Sequence, residues 1–173
     1  MSLNIKGDIG KVWLGGVQMG KVYQGEKLIY TAQTQIYPGT QPVKHYTKNK
    51  ITVEDFTITR AANTESYGIC YIPVELTECD ILDVKGELCG YVAVGLTDIL
   101  PTASVDGASD MVFSRHYCVW TQVMKSTNKD VMEVDAQIDV KDLTGTYYLV
   151  AAIYGSNVTL PTSFVEISSV IGR

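Results

Sequence analysis

The sequence predicts an all-β protein in which a short N-terminal β-meander precedes an antiparallel β-sandwich. Three observations lead to this prediction. A ten-residue repeat punctuated by glycine lies near the N-terminus, apolar and polar side chains alternate strictly through residues 131–141, and short β-prone runs recur through the rest of the chain. With 173 residues, the chain is long enough for one ordinary domain and an appendage.

The N-terminal repeat predicts a three-stranded meander from about Ile5 to Thr31. Residues 11–16 read KVWLGG, residues 21–26 read KVYQGE, and residues 27–30 form a weaker third copy. The first two copies end in a glycine-led dipeptide, which suits a two-residue type II′ hairpin turn because its first residue needs a positive φ. Gly20 then predicts a bulge in the middle strand.

The meander is apolar on both faces. Trp13, Tyr23 and Ile29 share one face, and the opposite face is apolar as well. A few short strands are marginally stable in water, so the second face must be covered by the rest of the chain, a symmetry mate or another protein. Trp13, Tyr23 and Ile29 are therefore the candidate assembly interface.

The same stretch, IGKVWLG followed by KVY-x-G-x-x-LIY within Ile9–Tyr30, resembles short hairpin modules in tail and baseplate proteins of bacteriophages and prophages of Gram-positive bacteria. The resemblance implies a structural protein of the virion, made in the bacterial cytoplasm, with other virion proteins as partners. It also implies a homo-oligomer, with a trimer favoured, because three-fold symmetry is common in such proteins and closed symmetry hides sheet edges.

A polar segment rich in turn residues separates the meander from the remainder. Pro38, Gly39 and Pro42 lie in it, and we interpret residues 33–50 as a linker. The predicted organisation is therefore an assembly module at 1–32, a linker at 33–50 and a β-sandwich at 51–173.

The clearest strand of the sandwich is Val131–Lys141, where every second side chain is apolar, as expected of a strand with one face in a core and one in water. Residues 91–96 are apolar on both faces, which predicts an interior strand. Further strands are predicted at 51–59, at 67–72 ending before Pro73, at 81–84, 87–96, 117–124 and 146–154, and at 162–171, with a long loop at 98–110.

The last strands resemble those that close galactose-binding-like jelly rolls of carbohydrate-binding modules. The pattern D-x-x-x-L-x-G followed by x-Y-Y-L is filled by six residues, namely Asp139, Leu143, Gly145, Tyr147, Tyr148 and Leu149. The resemblance implies a jelly-roll-like sandwich and a possible cell-surface glycan as ligand. A free-standing carbohydrate-binding module from a larger secreted protein is the alternative function.

Composition and motifs argue against several other functions. The formal net charge of −5 and the scattered basic residues disfavour a nucleic-acid partner, and no apolar run is long enough to insert into a membrane. No nucleophile, metalloprotease or phosphate-loop motif is present, so we expect neither an enzyme nor a cofactor.

Acidic residues and cysteines offer no firm site. Acidic pairs such as Glu75/Glu78 and Asp80/Asp83 are interpreted as solvated strand edges. Asp98, Asp106 and Asp110 could ligate a calcium ion, but an ordinary polar loop is the favoured interpretation. No metal site is predicted. The four cysteines contain no CxxC pair and are expected to be reduced thiols.

Tyrosine is the remaining indication of a binding site, with eleven tyrosines against three phenylalanines. Aromatic rings stack on sugars, and the hydroxyl group can form hydrogen bonds. Tyr67, Tyr117 and Trp120 are the candidate carbohydrate-binding residues, although Trp120 and Tyr117 must point to opposite faces of their strand. Trp120 is expected in the core.

Overall fold

A computed structural model confirms the all-β class and the sandwich. The structure describes the backbone of residues 12–14, 17–19, 21–24, 27–31, 33–77, 79–102, 112, 117–155 and 162–173, and the side chains from residue 33 onward within these ranges. The strands in the described residues are β1 (Val12–Leu14), β2 (Val17–Met19), β3 (Lys21–Gln24), β4 (Lys27–Thr31), β5 (Thr34–Tyr37), β6 (Lys44–Lys48), β7 (Ile51–Glu54), β8 (Thr57–Arg60), β9 (Ser66–Glu75), β10 (Ile81–Cys89), β11 (Tyr91–Thr97), β12 (Trp120–Lys125), β13 (Val131–Asp139), β14 (Thr146–Gly155) and β15 (Ser163–Gly172).

Two antiparallel sheets form the sandwich. The five-stranded sheet has the order β12-β11-β14-β9-β6, and the six-stranded sheet has the order β13-β10-β15-β8-β7, with β5 paired to the last part of β15. Consecutive strands alternate repeatedly between the sheets, as in a jelly roll. β11 has neighbours on both sides and is buried on both faces from Val92 to Thr97, which confirms its prediction as an interior strand.

The main core lies between the two sheets and follows from period-two patterning. Most strands of the sandwich contribute alternate side chains to it, and most of these side chains are fully buried; among them are Phe56, Ile58, Ile72, Leu82, Leu88, Leu96, Leu149 and Ile153. Full burial of one such side chain contributes about 1.5–3 kcal/mol relative to exposure. Apolar burial thus supplies the main stabilisation of the sandwich.

The predicted alternation of residues 131–141 is confirmed in β13. Val134 and Ile138 are buried and Met132 is half-buried, whereas Glu133 and Asp135 are exposed. β13 is an edge strand with β10 as its neighbour. An edge strand that packs on one face only requires this alternation.

Gly90 lies at the corner where the chain passes from the six-stranded to the five-stranded sheet. Its φ is +88°, and a Cβ atom would lie 2.2 Å from Ser163 Oγ. Only glycine combines this backbone conformation with the close approach of β15. The sequence analysis predicted a break at residues 85–86 instead, but β10 runs through them with a bulge against β15 between Lys85 and Gly86.

The segment 33–50 differs from the predicted linker because it contains two strands of the sandwich. β5 pairs with β15, and β6 pairs with β9 as an edge strand of the five-stranded sheet. Ile36 and Val43 pack against the main core, and Tyr46 packs on the outer face of its sheet. An edge strand has one strand neighbour, and many of its side chains face solvent. It therefore needs few apolar residues, and its composition is similar to that of a linker.

The N-terminal segment also differs in detail from the predicted meander. In the described backbone it forms two separate two-stranded sheets, β1-β2 and β3-β4, rather than one three-stranded sheet. The connections between paired strands fall at the predicted residues 15–16 and 25–26. The predicted middle strand corresponds to β2 and β3, which belong to different sheets. The bulge predicted at Gly20 lies outside the described residues.

Two further strands differ from their predicted boundaries. The predicted strand 51–59 is a hairpin, β7-β8, which turns at Asp55 with a φ of +49°. β9 continues through Pro73, because its pairing with β6 ends at Tyr71 and β14 is the remaining neighbour at Pro73. A proline without an N–H group is tolerated where a strand has one paired side.

Membrane and cysteine features complete the description. Within the residues that the structure describes, no helix is long and apolar enough to cross a membrane. All four cysteines lie in the described ranges and are thiols rather than disulfides; Cys70 and Cys89 are buried. Burial raises the pKa of the Cys70 thiol above its usual range and raises that of Cys118 to about 11, which keeps both protonated at neutral pH.

Candidate functional site

The outer face of the five-stranded sheet is the surface of interest, because it is rich in tyrosine. Side chains on this face come from the alternate positions that do not enter the main core. Its centre is a second apolar cluster of Ile69, Tyr71, Ala93, Val112, Val150 and Ala152, all buried. Val112, in the connection between β11 and β12, therefore packs on the outer side of the sheet.

A row of five side chains crosses one end of this face, and we name it the tyrosine row: Lys48, Tyr67, Tyr154, Tyr91 and Lys125. Lys48 is paired in register with Tyr67, Tyr67 with Tyr154, and Tyr91 with Lys125. Val92 is paired with Ile153. Because the strands are antiparallel, the next position along the pair places Tyr91 opposite Tyr154. One residue from each strand of the sheet thus contributes to the row, in the order lysine, three tyrosines, lysine.

Two rings of the tyrosine row contact each other, and each lysine of the row lies near a tyrosine ring. The ring centroids of Tyr67 and Tyr154 are 4.9 Å apart with an interplanar angle of 67°, an edge-to-face arrangement. Lys48 Nζ lies 5.7 Å from the Tyr67 ring centroid, and Lys125 Nζ lies 5.8 Å from that of Tyr91. Both distances are in the range of cation–π attraction. The three tyrosines are half-buried and the two lysines are exposed.

A polar pocket of about 490 Å³ adjoins the Lys48 end of the row. It is lined by Asn49 and Lys50 of the β6–β7 turn and by Asn63, Thr64 and Glu65 of the β8–β9 loop. Asn49 Nδ2 donates a hydrogen bond to the Glu65 carbonyl oxygen at 3.0 Å, and the Tyr67 hydroxyl donates to Glu65 Oε1 at 3.4 Å.

Two asparagines in this pocket have left-handed backbone conformations, with φ of +62° at Asn49 and +55° at Asn63. Asparagine tolerates this conformation better than most residues, which explains its presence at both turns. The pocket therefore has a defined backbone that presents amide and hydroxyl groups beside the tyrosine row.

Arg60 supports the loop that forms this pocket. Its side chain is fully buried, donates a hydrogen bond from Nη1 to the Thr64 carbonyl oxygen at 2.8 Å, and donates from Nη2 to Ser163 Oγ at 3.1 Å. A Cβ atom on Gly155 would lie 2.9 Å from Nη1, so the guanidinium group packs directly under β14. Burial lowers the pKa of Arg60 from its usual value. The pocket loop is thus attached to both sheets.

The other end of the face contains three more tyrosines, Tyr46, Tyr71 and Tyr148. The centroid of Tyr71 lies 6.1 Å from that of Tyr46 and 5.9 Å from that of Tyr148. Burial raises the pKa of Tyr71 to about 12, with further contributions from a hydrogen bond to Tyr46 and from the charges of Tyr46 and Tyr148. Since Tyr71 is almost fully buried, this group packs the sheet and is not a ligand platform.

The structure does not bring the three predicted carbohydrate-binding residues together. Tyr67 belongs to the tyrosine row, whereas Trp120 packs against the main core on the opposite face of the sheet. Tyr117, which is 60% exposed, precedes β12 at the far edge of the sheet, where its carbonyl oxygen accepts a hydrogen bond from Thr97 Oγ1 at 2.8 Å. The expected placement of Trp120 in the core and Tyr117 on the surface is confirmed.

Tyr91, Tyr154 and the two lysines of the row were not among the residues predicted from the sequence. Lys48 lies in the segment interpreted as a linker, where residues 44–48 contain one apolar side chain and no apolar alternation that would indicate a strand. Cross-strand neighbours that are far apart in sequence have no local signal. The predicted interface residues Trp13, Tyr23 and Ile29 lie on β1, β3 and β4, and their side chains lie outside the described residues.

The acidic residues considered for chemistry have other partners. Glu75 accepts a hydrogen bond from Thr146 Oγ1 at 2.6 Å, and Asp83 forms an ion pair with Arg173 at 2.7 Å. Asp98 is exposed at the end of β11, while Asp106 and Asp110 lie outside the described residues. Within the part of the chain that the structure describes, no three His, Cys, Asp or Glu side chains are grouped so that they could hold a metal ion.

Comparisons with known proteins complete the description of the site. No family model matches the chain, and no curated protein matches its sequence. Among solved structures, the chain is similar to TmCBM61, a carbohydrate-binding module whose structure contains β-1,4-galactotriose. That likeness has 12% identity and a TM-score of 0.35, and it covers 82% of this chain and 86% of that chain.

Proposed function

We propose that this chain is a non-enzymatic structural protein of a phage or prophage particle, a tail or baseplate component whose sandwich binds carbohydrate on the host surface. The observation that supports the binding role is the tyrosine row. Three half-buried tyrosines lie side by side across a rigid sheet, with exposed lysines at both ends.

The geometry of the row is suited to a sugar chain. Neighbouring strands are about 4.8 Å apart, so the row presents aromatic surface continuously in the direction perpendicular to the strands. Tyrosine offers an apolar ring for stacking and a hydroxyl group for hydrogen bonding, and it loses little conformational entropy on binding. The adjoining pocket adds the amide groups of Asn49 and Asn63 as hydrogen-bonding partners for sugar hydroxyls.

The binding role is tested by a glycan array and a host-cell pull-down with the full chain, followed by titration of any glycan that binds. Tyr67→Ala and Tyr154→Ala are each expected to weaken binding roughly tenfold, the loss typical of a truncated aromatic contact. Gln137→Ala, an exposed position on the six-stranded sheet, is the matched control and should have no effect.

Tyr117→Ala distinguishes glycan binding at the tyrosine row from glycan binding at Tyr117, the exposed residue predicted from the sequence. A loss of binding in Tyr117→Ala alone would move the site to that loop. Blank results in both the array and the pull-down would overturn the binding role for the whole sandwich.

The assembly role is supported by the N-terminal hairpins and by the resemblance of Ile9–Tyr30 to phage modules. In the described residues, neither hairpin pairs with a strand of the sandwich, and an isolated two-stranded hairpin is marginally stable in water. A partner surface is therefore needed, and we expect Trp13, Tyr23 and Ile29 to contribute to contacts between subunits of a trimer, or with other virion proteins.

Deletion of residues 1–32 tests the assembly role. The full chain should sediment as a trimer at micromolar concentration and the truncated chain as a folded monomer. Monomeric behaviour of both, with glycan binding retained, would favour the free-standing carbohydrate-binding module instead.

A further inference from the structure

The charges on the tyrosine face identify the class of glycan, and this inference rests on the binding role proposed above. Outward positions on the five strands carry three lysines, Lys44, Lys48 and Lys125, and one carboxylate, Glu75. Glu75 lies at the opposite end from the tyrosine row and accepts a hydrogen bond from Thr146. At the end of the face that contains the row, the charged side chains at outward strand positions are therefore the two lysines, although the chain has a net charge of −5. A loop carboxylate, that of Glu65, accepts a hydrogen bond from the Tyr67 hydroxyl at this end.

The two lysines of the row differ from three cationic side chains of the sandwich that form ion pairs. Lys85 pairs with Asp135, Lys141 pairs with Asp139, and Arg173 pairs with Asp83. Among the described residues, Lys48 and Lys125 have no carboxylate within ion-pair distance, and their contacts are the tyrosine rings at 5.7 and 5.8 Å. A cation held over an aromatic ring keeps its charge available to an anion.

The positions of the two ammonium groups define the length of the ligand. Lys48 belongs to β6 and Lys125 to β12, the two edge strands of the sheet. Four interstrand steps separate them, so their backbone positions are about 19 Å apart at the usual strand spacing. A short linear oligosaccharide that follows the tyrosines would reach both lysines.

We propose that the tyrosine row binds a linear anionic glycan, whose sugar rings pack on Tyr67, Tyr154 and Tyr91 and whose charged groups pair with Lys48 and Lys125 at the two edges of the sheet. The shared chemistry is a negatively charged group, either a uronate carboxylate or a phosphodiester. A single-stranded nucleic acid is a weaker fit, because its closely spaced phosphates need more basic side chains than these two.

The test compares a charged ligand with its neutral counterpart, using the full chain. An oligogalacturonate and the same oligomer after carboxyl reduction differ in the charged group, and an oligosaccharide whose hexose rings are joined by phosphodiesters provides the phosphodiester arm. We expect the oligogalacturonate or the phosphodiester-linked oligosaccharide to bind at least tenfold more tightly than the reduced oligomer, and the difference to shrink as salt is raised. The arm that binds more tightly identifies the anionic group.

Variants assign the preference to the row. The double variant Lys48→Gln/Lys125→Gln should bind charged and reduced oligomers equally, Lys48→Arg/Lys125→Arg should keep the preference, and Lys85→Gln on the six-stranded sheet is the control. Unfolding curves of the variants should match that of the parent chain, since both lysines are exposed.

The outcomes separate this inference from the proposed function. Equal binding of charged and reduced oligomers, or a preference that persists in the double Gln variant, overturns the anionic ligand and leaves glycan binding intact. Tighter binding of a single-stranded DNA oligomer than of either glycan overturns it in favour of nucleic acid. Failure of every glycan to bind overturns both proposals.

Discussion

The outer faces of the two sheets have opposite chemistry although the sheets share one core. The face of the five-stranded sheet carries tyrosines, a buried apolar cluster and lysines. The charged side chains on the face of the six-stranded sheet are mainly carboxylates. Both sheets have the same inward pattern of buried aliphatic side chains, so the difference arises only from the outward alternate positions.

An acidic row on the six-stranded sheet is the counterpart of the tyrosine row. It comprises Glu133, Glu87, Glu166, Thr57 and Glu54, one residue from each of β13, β10, β15, β8 and β7, each paired in register with the next. Directly opposed like charges destabilise a sheet. The core must therefore offset this repulsion, whereas the tyrosine row is held by ring and cation–π contacts. The two outer faces therefore differ in how their side chains interact with one another.

The largest expected effect concerns packing at the centre of the tyrosine face. Ala152 is fully buried in the second cluster, so Ala152→Leu should lower the free energy of unfolding by about 1–3 kcal/mol through overpacking. Gln137→Leu places the same side chain at an exposed position of the six-stranded sheet and should change the free energy of unfolding by less than about 0.5 kcal/mol. Urea unfolding of both variants measures the difference. An equal loss of unfolding free energy in both variants would mean that the two positions are equally exposed to solvent.

A second effect is expected at alkaline pH, and it comes from the tyrosine face. Burial, together with Tyr46 and Tyr148, raises the pKa of Tyr71 to about 12, whereas the pKa of an unfolded tyrosine is about 10. Between these values the unfolded chain binds fewer protons than the folded one, so stability is fully present below pH ~10 and declines as the pH rises toward ~12. Tyr71→Phe should make this decline shallower in unfolding measurements across the window.

The acidic face should respond in the opposite window. The backbone N–H group of Lys141 and then its ammonium group, 3.2 Å from Asp139, lower the pKa of Asp139 below its usual value. Its contribution is present above the pKa of an unfolded aspartate and is lost as the pH falls through the folded value. Asp139→Asn should therefore flatten the acid limb. It also removes the carboxylate that raises the pKa of Lys141, so the alkaline limb should lose a small contribution as well. An acid limb that is unchanged in Asp139→Asn would contradict this assignment.

The smallest effect concerns the acidic row. Glu87 is opposed by Glu133 on one side and Glu166 on the other, so Glu87→Gln should raise the free energy of unfolding by up to about 0.5 kcal/mol at low salt. The gain should vanish at high salt because exposed charges are screened. Asp135→Asn, which removes the partner of Lys85, is the control and should give no gain.

The strands that pack on one side show how far local pattern reaches. The alternation of β13 predicted its bounds to within a few residues and its buried face correctly, because burial of one face in a strand imposes period two. Trp120 was expected in the core and packs against it, whereas Tyr117 lies before the first residue of β12 and so outside the predicted strand. The two-residue connections at 15–16 and 25–26 followed from glycine turn chemistry.

Long-range pairing limited the rest of the prediction. β5 and β6 were interpreted as linker because their few apolar residues become strand positions only when β15 and β9 are beside them. Tyr91 and Tyr154 are 63 residues apart in the chain and belong to different strands. Tyr67 and Lys125 belong to two further strands. Nothing local to any one of these residues indicates the others.

By itself, the sequence determined the all-β class and the inward face of β13, since side-chain period and turn chemistry are local properties of the chain. Only the tertiary structure decided that one residue from each of five strands forms a row of lysine, three tyrosines and lysine. The register of a sheet depends on which strands become neighbours, and that choice is made by packing of the whole core.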